Sequence, residues 1–343
     1  MKQVFRLYPL VFFTLVAILQ QTCVDPINFD RRQKDDILVV DGSVALEDST
    51  HTLSLTRTAA VGRSARFPPE SGAQVLLLED ERIVGQYVEV ESGVYQLANF
   101  KPQLGKLYHI DIQLQSGERY TSVPERVPQP VALDSAYFTY TGGRTMTIYA
   151  RTTIPTQGEV PYLRWRLQQV YQMTDQYCGG LDQVTTCYYE ANRSTDNQLV
   201  PLLDGGELEG GSVVSTAVVE VPIVDSIFGE ITYFTVFQES LTPSIFEYWQ
   251  KVNTLITQTG SLFDVPPGQI RGNIYNIADP EAPVLGIFYA TSHDLTYVKA
   301  VASDFGELQL RPFCGVPGIF PNPFPYPQCC NCRFGIQRPE YWR

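Results

Sequence analysis

The chain has 343 residues, 44% of them hydrophobic and 12% aromatic, which is enough for two ordinary domains. Its 37 acidic side chains outnumber 25 basic ones, for a formal charge of −12. No basic cluster is dense enough to track a phosphate backbone, which argues against nucleic acid as a partner.

The first element is a leader. Lys2 and Arg6 precede an almost unbroken apolar run, Leu10–Leu19, followed by Gln20-Gln21-Thr22-Cys23 and Val24-Asp25-Pro26. A basic start, an apolar segment of about ten residues and a cut site describe an export signal. A bilayer-spanning helix needs about 20 apolar residues, so this run is too short to span and stay. Cys23 stands where lipoprotein processing attaches a diacylglycerol, although Gln20 and Thr22 depart from a strict lipobox. The alternative is ordinary secretion with Cys23 as a structural thiol. The expectation is a signal peptide over 1–22, lipidation at Cys23 that holds the protein on a lipid bilayer, and an anchor linker over 23–35. The mature chain then has 321 residues, with 23 basic against 37 acidic side chains.

Six further cysteines remain: Cys178, Cys187, Cys314, Cys329, Cys330 and Cys332. An even number in an exported chain reads as disulfides. Cys178 and Cys187 are close in sequence and are expected to close one loop; the pairing of the other four is open. A zinc site fits poorly, because its ligands are usually spaced by two to four residues and Cys329 and Cys330 are adjacent.

From 36 to 123 the pattern is short strands. Tyr108, Ile110, Ile112 and Leu114 alternate with His109, Asp111, Gln113 and Gln115, which predicts one buried and one solvated face. Ile37–Val40, Thr52–Thr56, Val75–Leu78 and Val84–Val90 are further strand candidates. Asp41-Gly42, Glu91-Ser92-Gly93 and Ser116-Gly117 read as turns between strands, and such spacing predicts a small antiparallel sandwich. Three prolines in Val123–Pro130 then make a stiff connector, and a domain boundary is placed at 124–130.

The rest, 131–343, reads as a larger β-rich domain. Leu163, Trp165 and Leu167 alternate with Arg164, Arg166 and Gln168, and Val213–Val224 and Ile231–Phe237 are strand candidates. The glycines of Asp204–Gly211 force a loop. One helix is expected over 244–259: Ser244-Ile245-Phe246-Glu247 fits a capping box, Ile245, Trp249, Val252 and Ile256 recur at helical spacing, and Gly260 supplies the stop. Proline and phenylalanine dominate Pro312–Pro327, which suggests an extended, cysteine-rich C-terminal arm. The fold class is mainly β, with two β-sandwich-like domains and one helix in the second.

Several of these segments together resemble a known family. They are Cys23-Val24-Asp25-Pro26, Leu38-Val39-Val40-Asp41-Gly42, and Gly260-Ser261-Leu262-Phe263-Asp264-Val265-Pro266-Pro267 with Ile270-Arg271-Gly272-Asn273-Ile274-Tyr275-Asn276. Cys329-Cys330-Asn331-Cys332-Arg333 and Pro339-Glu340-Tyr341-Trp342 add to them. The chain is similar to the domain of unknown function 4249 family, lipoproteins of Bacteroidota. The resemblance implies an outer-membrane lipoprotein, cell-surface exposed and often encoded beside TonB-dependent receptors. It also implies a first domain like the small regulatory (immunoglobulin-like) sandwich of carboxypeptidases, and it implies no catalytic residue. Family members often carry several glycines after the last cysteine; Phe334-Gly335-Ile336 has one.

Catalytic patterns are sparse. His51, His109 and His293 are far apart in sequence, and His109 is expected to be solvated on the polar side of its strand. Ser292-His293-Asp294 holds the residue types of a hydrolytic triad, but no G-x-S-x-G elbow occurs. Glu79-Asp80-Glu81 and the Glu89/Glu91 pair are glycosidase-like only in residue type. Asp204–Glu209 lacks the ordered ligands of a calcium loop. The expectation is therefore no metal, no cofactor and no enzyme. The 20 tyrosines and 18 phenylalanines, with a pair at Tyr188-Tyr189, leave open a choice between interface and packing. The favoured expectation is an accessory, ligand-capturing partner of a TonB-dependent outer-membrane barrel. A stand-alone surface glycan- or peptide-binding protein or adhesin comes second, and an enzyme of unrecognised type last.

Overall fold

The computed structural model describes residues 37–58, 67–175, 185–191, 199–258, 270–306, 308–310, 332 and 335–342. The signal peptide, Cys23, the anchor linker, most of the C-terminal arm and Cys178, Cys314, Cys329 and Cys330 lie outside the described residues. Among those described, the protein is mainly β, and no helix is long and apolar enough to cross a membrane.

Strands β1 (Leu38–Ala45), β2 (Thr50–Arg57), β3 (Gln74–Glu79), β4 (Arg82–Glu91), β5 (Val94–Ala98), β6 (Leu107–Gln113) and β7 (Arg119–Ser122) build the first unit. Their apolar phases enclose one core, in which Val40, Leu53, Leu55, Val75, Leu77, Tyr95, Tyr108 and Ile110 are fully buried. Asp41-Gly42 is not a turn: it lies inside β1, which pairs on both sides and leaves the chain no room to reverse. A Cβ at Gly42 would stand 3.1 Å from Leu53, so this glycine serves close packing.

The connector is hydrogen-bonded in place. Its two-residue strand β8 (Glu125–Arg126) pairs with β6. Val127 closes the first core, and Val131 opens the second. In the second unit β9 (Ser135–Thr139), β10 (Thr145–Thr153) and β14 (Val213–Pro222) form a three-stranded sheet. It covers one face of β11 (Tyr162–Asp175), β15 (Ile231–Leu241) and β17 (Leu285–Val301). Trp165, Phe234, Val236, Val298 and Ala300 face Met146, Ile148, Val218 and Val221 across this sandwich. Strands β12 (Thr185–Glu190) and β13 (Leu202–Asp204) pair with β11 at its two ends. The acidic, glycine-rich stretch is a 3₁₀ turn, Gly205–Glu207, with Asp204 accepting from the Gly206 N–H at 2.8 Å.

The two units share one continuous sheet. The first half of β17 pairs in parallel with β1 (Gly42 opposite Phe288), and its second half pairs antiparallel with β15 (Glu239 opposite His293). The short strand β16 (Ile274–Asn276) also returns to the first unit, pairing with β7. Chain distal to the connector therefore completes the sheet proximal to it. Gly286 enables this join: it sits at φ +87°, and a Cβ there would lie 1.8 Å from the Val40 carbonyl oxygen. A Cβ on Gly272 would strike the Gly286 oxygen at 1.6 Å. Next to it, the Asn273 amide bonds both the N–H (3.0 Å) and the C=O (2.6 Å) of Phe288. The Arg271-Gly272-Asn273-Ile274 segment is thus a structural stitch.

A single helical turn, α1 (Asp225–Phe228), precedes β15, and the long helix α2 is Pro243–Gln258. Ser244 does not cap it, because the helix starts one residue earlier with proline at its first position, where a missing N–H costs nothing. The hydroxyls of Thr242 and Ser244 instead donate to the buried Glu125 carboxylate, at 2.6 and 2.8 Å. A carboxylate from the connector so sits at the positive end of the helix dipole.

The C-terminal segment is tied to β12 and to the outer face of the sheet. Cys187 pairs with Cys332 across 145 residues, which overturns the short Cys178–Cys187 loop. Cys187 faces inward from its strand towards Met173 and Tyr189, where the returning segment meets it. Trp342 is buried among Val170, Tyr233 and Tyr188, and Tyr341 stacks on Tyr297 with centroids 4.3 Å apart. Tyr188 and Tyr189 are packing residues.

Candidate functional site

Alternation along β11 sends Leu163 and Trp165 into the sandwich core and Arg164 and Arg166 to the opposite, outer face. On β15, Glu239 lies directly across from Arg164. Its side chain is 3% exposed and binds both arginines, Arg166 Nε at 2.5 Å and Arg164 Nη1 at 3.4 Å. Tyr289 on β17 accepts from Arg164 Nη1 at 2.9 Å, and burial together with the Glu239 charge pushes its hydroxyl up to about 12. Such a carboxylate is tolerable inside only because charged donors surround it.

Aromatic rings flank the ion pairs. The Arg164 guanidinium lies 3.8 Å over the Trp249 ring of α2, and that of Arg166 lies 4.7 Å over Phe237. In the seam between helix and sheet, Arg164 Nε and Trp249 Nε1 are buried and find no acceptor among the described residues. Asp41 of β1 reaches the same face. Its carboxyl stays accessible, yet the surrounding walls strip enough water to raise it above the ordinary carboxylate range, against the pull of Arg164 and Arg166.

Beside this network a cavity of about 810 Å³ opens along the edge of β11, within the range of ligand clefts. Trp249, Val252 and Ile256 form one wall, Leu199, Val200 and Pro201 another, and Val218 and Val219 close the far side. Among the described residues, its polar lining is Arg164, Arg166, Gln168, Gln169 and Glu190. The helix face predicted from Ile245, Trp249, Val252 and Ile256 thus divides: Ile245 packs against the sheet, and the last three face the cavity.

The residues considered for chemistry do not converge. His293 is buried, with Nδ1 3.6 Å from Glu47 and Nε2 3.7 Å from Asp48. Asp294 faces the other side of β17, where it accepts from the Leu133 N–H at 2.9 Å, because neighbours on a strand diverge. His109 is not solvated: it is 6% exposed, opposite Leu78 in the ladder and 4.0 Å from Glu81 in the turn that folds over it. His51 is buried too; it accepts from the Ala45 N–H through Nδ1 and donates to the Phe100 carbonyl through Nε2, and burial lowers its pKa. Asp80 pairs with Lys106, Glu79 accepts from the Tyr108 hydroxyl, and Glu89 accepts from the Gly72 and Gly93 N–H groups. No group of three or more possible metal ligands occurs among the described residues. Of the candidate cysteines, Cys187 and Cys332 are brought together and the other five lie outside the described residues.

The Glu239 network was not anticipated from the sequence. Its one signal was a pair of arginines on the polar phase of an otherwise apolar strand.

Residues 24–295 match the family described as Domain of unknown function (DUF4249). The chain belongs to this family. The Gly272–Asn273 stitch and the Asp41 strand are therefore parts of a DUF4249 chain, and both serve the join between its two units. No curated protein matches the chain. Among solved structures, the Yersinia pseudotuberculosis adhesin InvE is 14% identical, with 60% of this chain and 55% of that chain covered and a TM-score of 0.19. A biofilm-associated protein BSP domain is 10% identical (60% and 26% covered, TM-score 0.19). A pullulanase from Anoxybacillus sp. LM18-11, complexed with maltotriose, is 14% identical (58% and 24% covered, TM-score 0.17). The chain spans between about a quarter and about half of these structures.

Proposed function

We propose that this protein is a non-catalytic, lipid-anchored outer-membrane protein that captures ligand as accessory to a TonB-dependent transporter. The observation that carries the reading is the composition of the β11 cavity. Among the described residues it offers aliphatic and tryptophan walls with arginine, glutamine and glutamate groups. Such a lining suits recognition, in which apolar walls supply contact and a few polar groups set orientation. The anchor at Cys23 and membership of the family support placement at a membrane. The shared sheet supports the two units acting as one stiff platform.

The test is a mild-detergent pull-down of the tagged full-length protein from its native outer membrane, followed by mass spectrometry. A stoichiometric TonB-dependent barrel is the expected result. Recovery of the protein alone would move the weight to a stand-alone surface binding protein. Mass measurement of the same sample reads the second expectation, a diacylated Cys23 as N-terminus.

A further inference from the structure

A second cavity, of about 860 Å³, lies beneath the connector, where β11 begins and β15 ends. Its lining comes from 126–131, 155–162 and 240–243, all well inside the described runs 67–175 and 199–258. Alternation on β15 turns Ser240 to the same side of the sheet as Gln238, towards the connector. Gln238 is bonded by Thr152, Trp165 and Val131, whereas the Ser240 hydroxyl, 3% exposed, finds no partner among the described residues. Ser292, its neighbour across the ladder, is buried and unpartnered in the same way. A buried hydroxyl left unsatisfied carries a desolvation cost that a bound polar group recovers. Pro128, Pro130, Pro155, Pro161 and Pro243 supply wall. Proline offers C–H surface and a carbonyl oxygen but no N–H, so these walls are short of donors. At the half-exposed rim, Arg126 of the connector meets Glu159 of the facing loop in two parallel bonds, at 2.8 and 2.9 Å. Those bonds hold the Glu159 carboxyl below its ordinary range, so the pair is ionised and its charges cancel.

We propose that this cavity binds a neutral saccharide of about one or two pyranose rings, at a site separate from the β11 cavity. Charge is the first selector. Arg126 and Glu159 cancel, which disfavours phosphates, sugar acids and the charged ends of short peptides. Donor supply is the second. A peptide backbone asks its site for donors as well as acceptors, and proline walls withhold the donors. A sugar hydroxyl both donates and accepts, so carbonyl oxygens and the Ser240 hydroxyl serve it equally. Shape is the third. The C–H faces of pyranose rings pack on proline surface and on Tyr162, whose ring is steadied by Phe246 at 4.9 Å. The Arg126–Glu159 pair sets donors and acceptors side by side in one plane, which matches adjacent hydroxyls on a ring. The inference depends neither on the β11 cavity nor on a barrel partner.

The experiment is calorimetric titration of the full-length protein, in a detergent without a sugar headgroup, with maltose, cellobiose, lactose and sucrose in turn. Saturable one-to-one binding of at least one is expected, and glucuronate should not bind. Ser240→Ala should weaken the bound disaccharide about fivefold through one lost hydrogen bond. The same variant should melt no lower than the parent, because the hydroxyl has no protein partner to lose. A lower melting temperature would show that the serine is already satisfied within the chain and would overturn the proposal. Glu159→Gln leaves the Arg126 charge uncancelled; it should weaken the neutral sugar and admit glucuronate. Absence of saturable binding of all four disaccharides at tens of millimolar would overturn the proposal. So would binding that both variants leave unchanged, which would put the sugar elsewhere on the protein. Tighter binding of hexaproline than of any disaccharide would reassign the cavity to a proline-rich chain and overturn the saccharide claim. A captured barrel without sugar binding sinks only this inference. Sugar binding without a barrel sinks only the transporter role.

Discussion

The two faces of the β11–β15–β17 sheet are built from the same strands and have opposite characters. The inner face is a closed apolar sandwich, and the buried Gln238 within it is satisfied by Trp165 Nε1 at 3.1 Å and the Val131 carbonyl at 2.9 Å. The outer face carries Arg164, Arg166, Glu239, His293 and Tyr289, and among the described residues α2 packs on one end of it and Tyr341–Trp342 on the other. Stability resides on the first face by area burial, and on the second by a few specific charge and ring contacts.

The largest effect should come from the inner face. Phe234→Ala removes a fully buried ring and should cost about 3–5 kcal/mol in urea unfolding. On the outer face Glu239→Gln leaves Arg164 and Arg166 facing each other without a full counter-charge, and a loss of about 3 kcal/mol is expected by the same measurement. If that variant is as stable as the parent, the ion network contributes nothing and the contrast between the faces fails. Cys332→Ser opens a link across 145 residues and should lower stability by about 2–3 kcal/mol. It should also speed amide exchange around Tyr233 and Trp342 while leaving Phe234 protected, which hydrogen-exchange mass spectrometry can read.

The smallest expected effect has the opposite sign. The Asp41 carboxyl titrates higher folded than unfolded, so its ionised form opposes folding above that value, and the penalty fades as pH falls through it. Asp41→Asn should therefore raise the melting temperature at pH 7, with the gain shrinking in acid. A gain that is constant with pH would point to a packing effect instead.

Period-two alternation disclosed most of the strands, because burial of one face is a local constraint written into neighbouring residues. The strand patterns placed β3, β4, β6 and β14 within a few residues and the start of β11, which runs on to Asp175, and gave the helix to within one. It failed at Asp41-Gly42, where a turn-forming pair is held straight by partners more than 200 residues away in sequence. It failed at His109 as well, where a neighbouring turn closes over the polar side of the strand.

The amino-acid sequence by itself determined the mainly β character, the proline-rich connector, the amphipathic helix and the family. Each of these depends on residues close together in the chain or on a recognisable local pattern. Tertiary structure alone decided that β17 joins both units, that Cys187 meets Cys332, that Glu125 sits at the start of α2, and that Arg164, Arg166 and Glu239 form one network. Those contacts join segments separated by tens to hundreds of residues. Their energies depend on which side chains lose water together, and no local pattern records that.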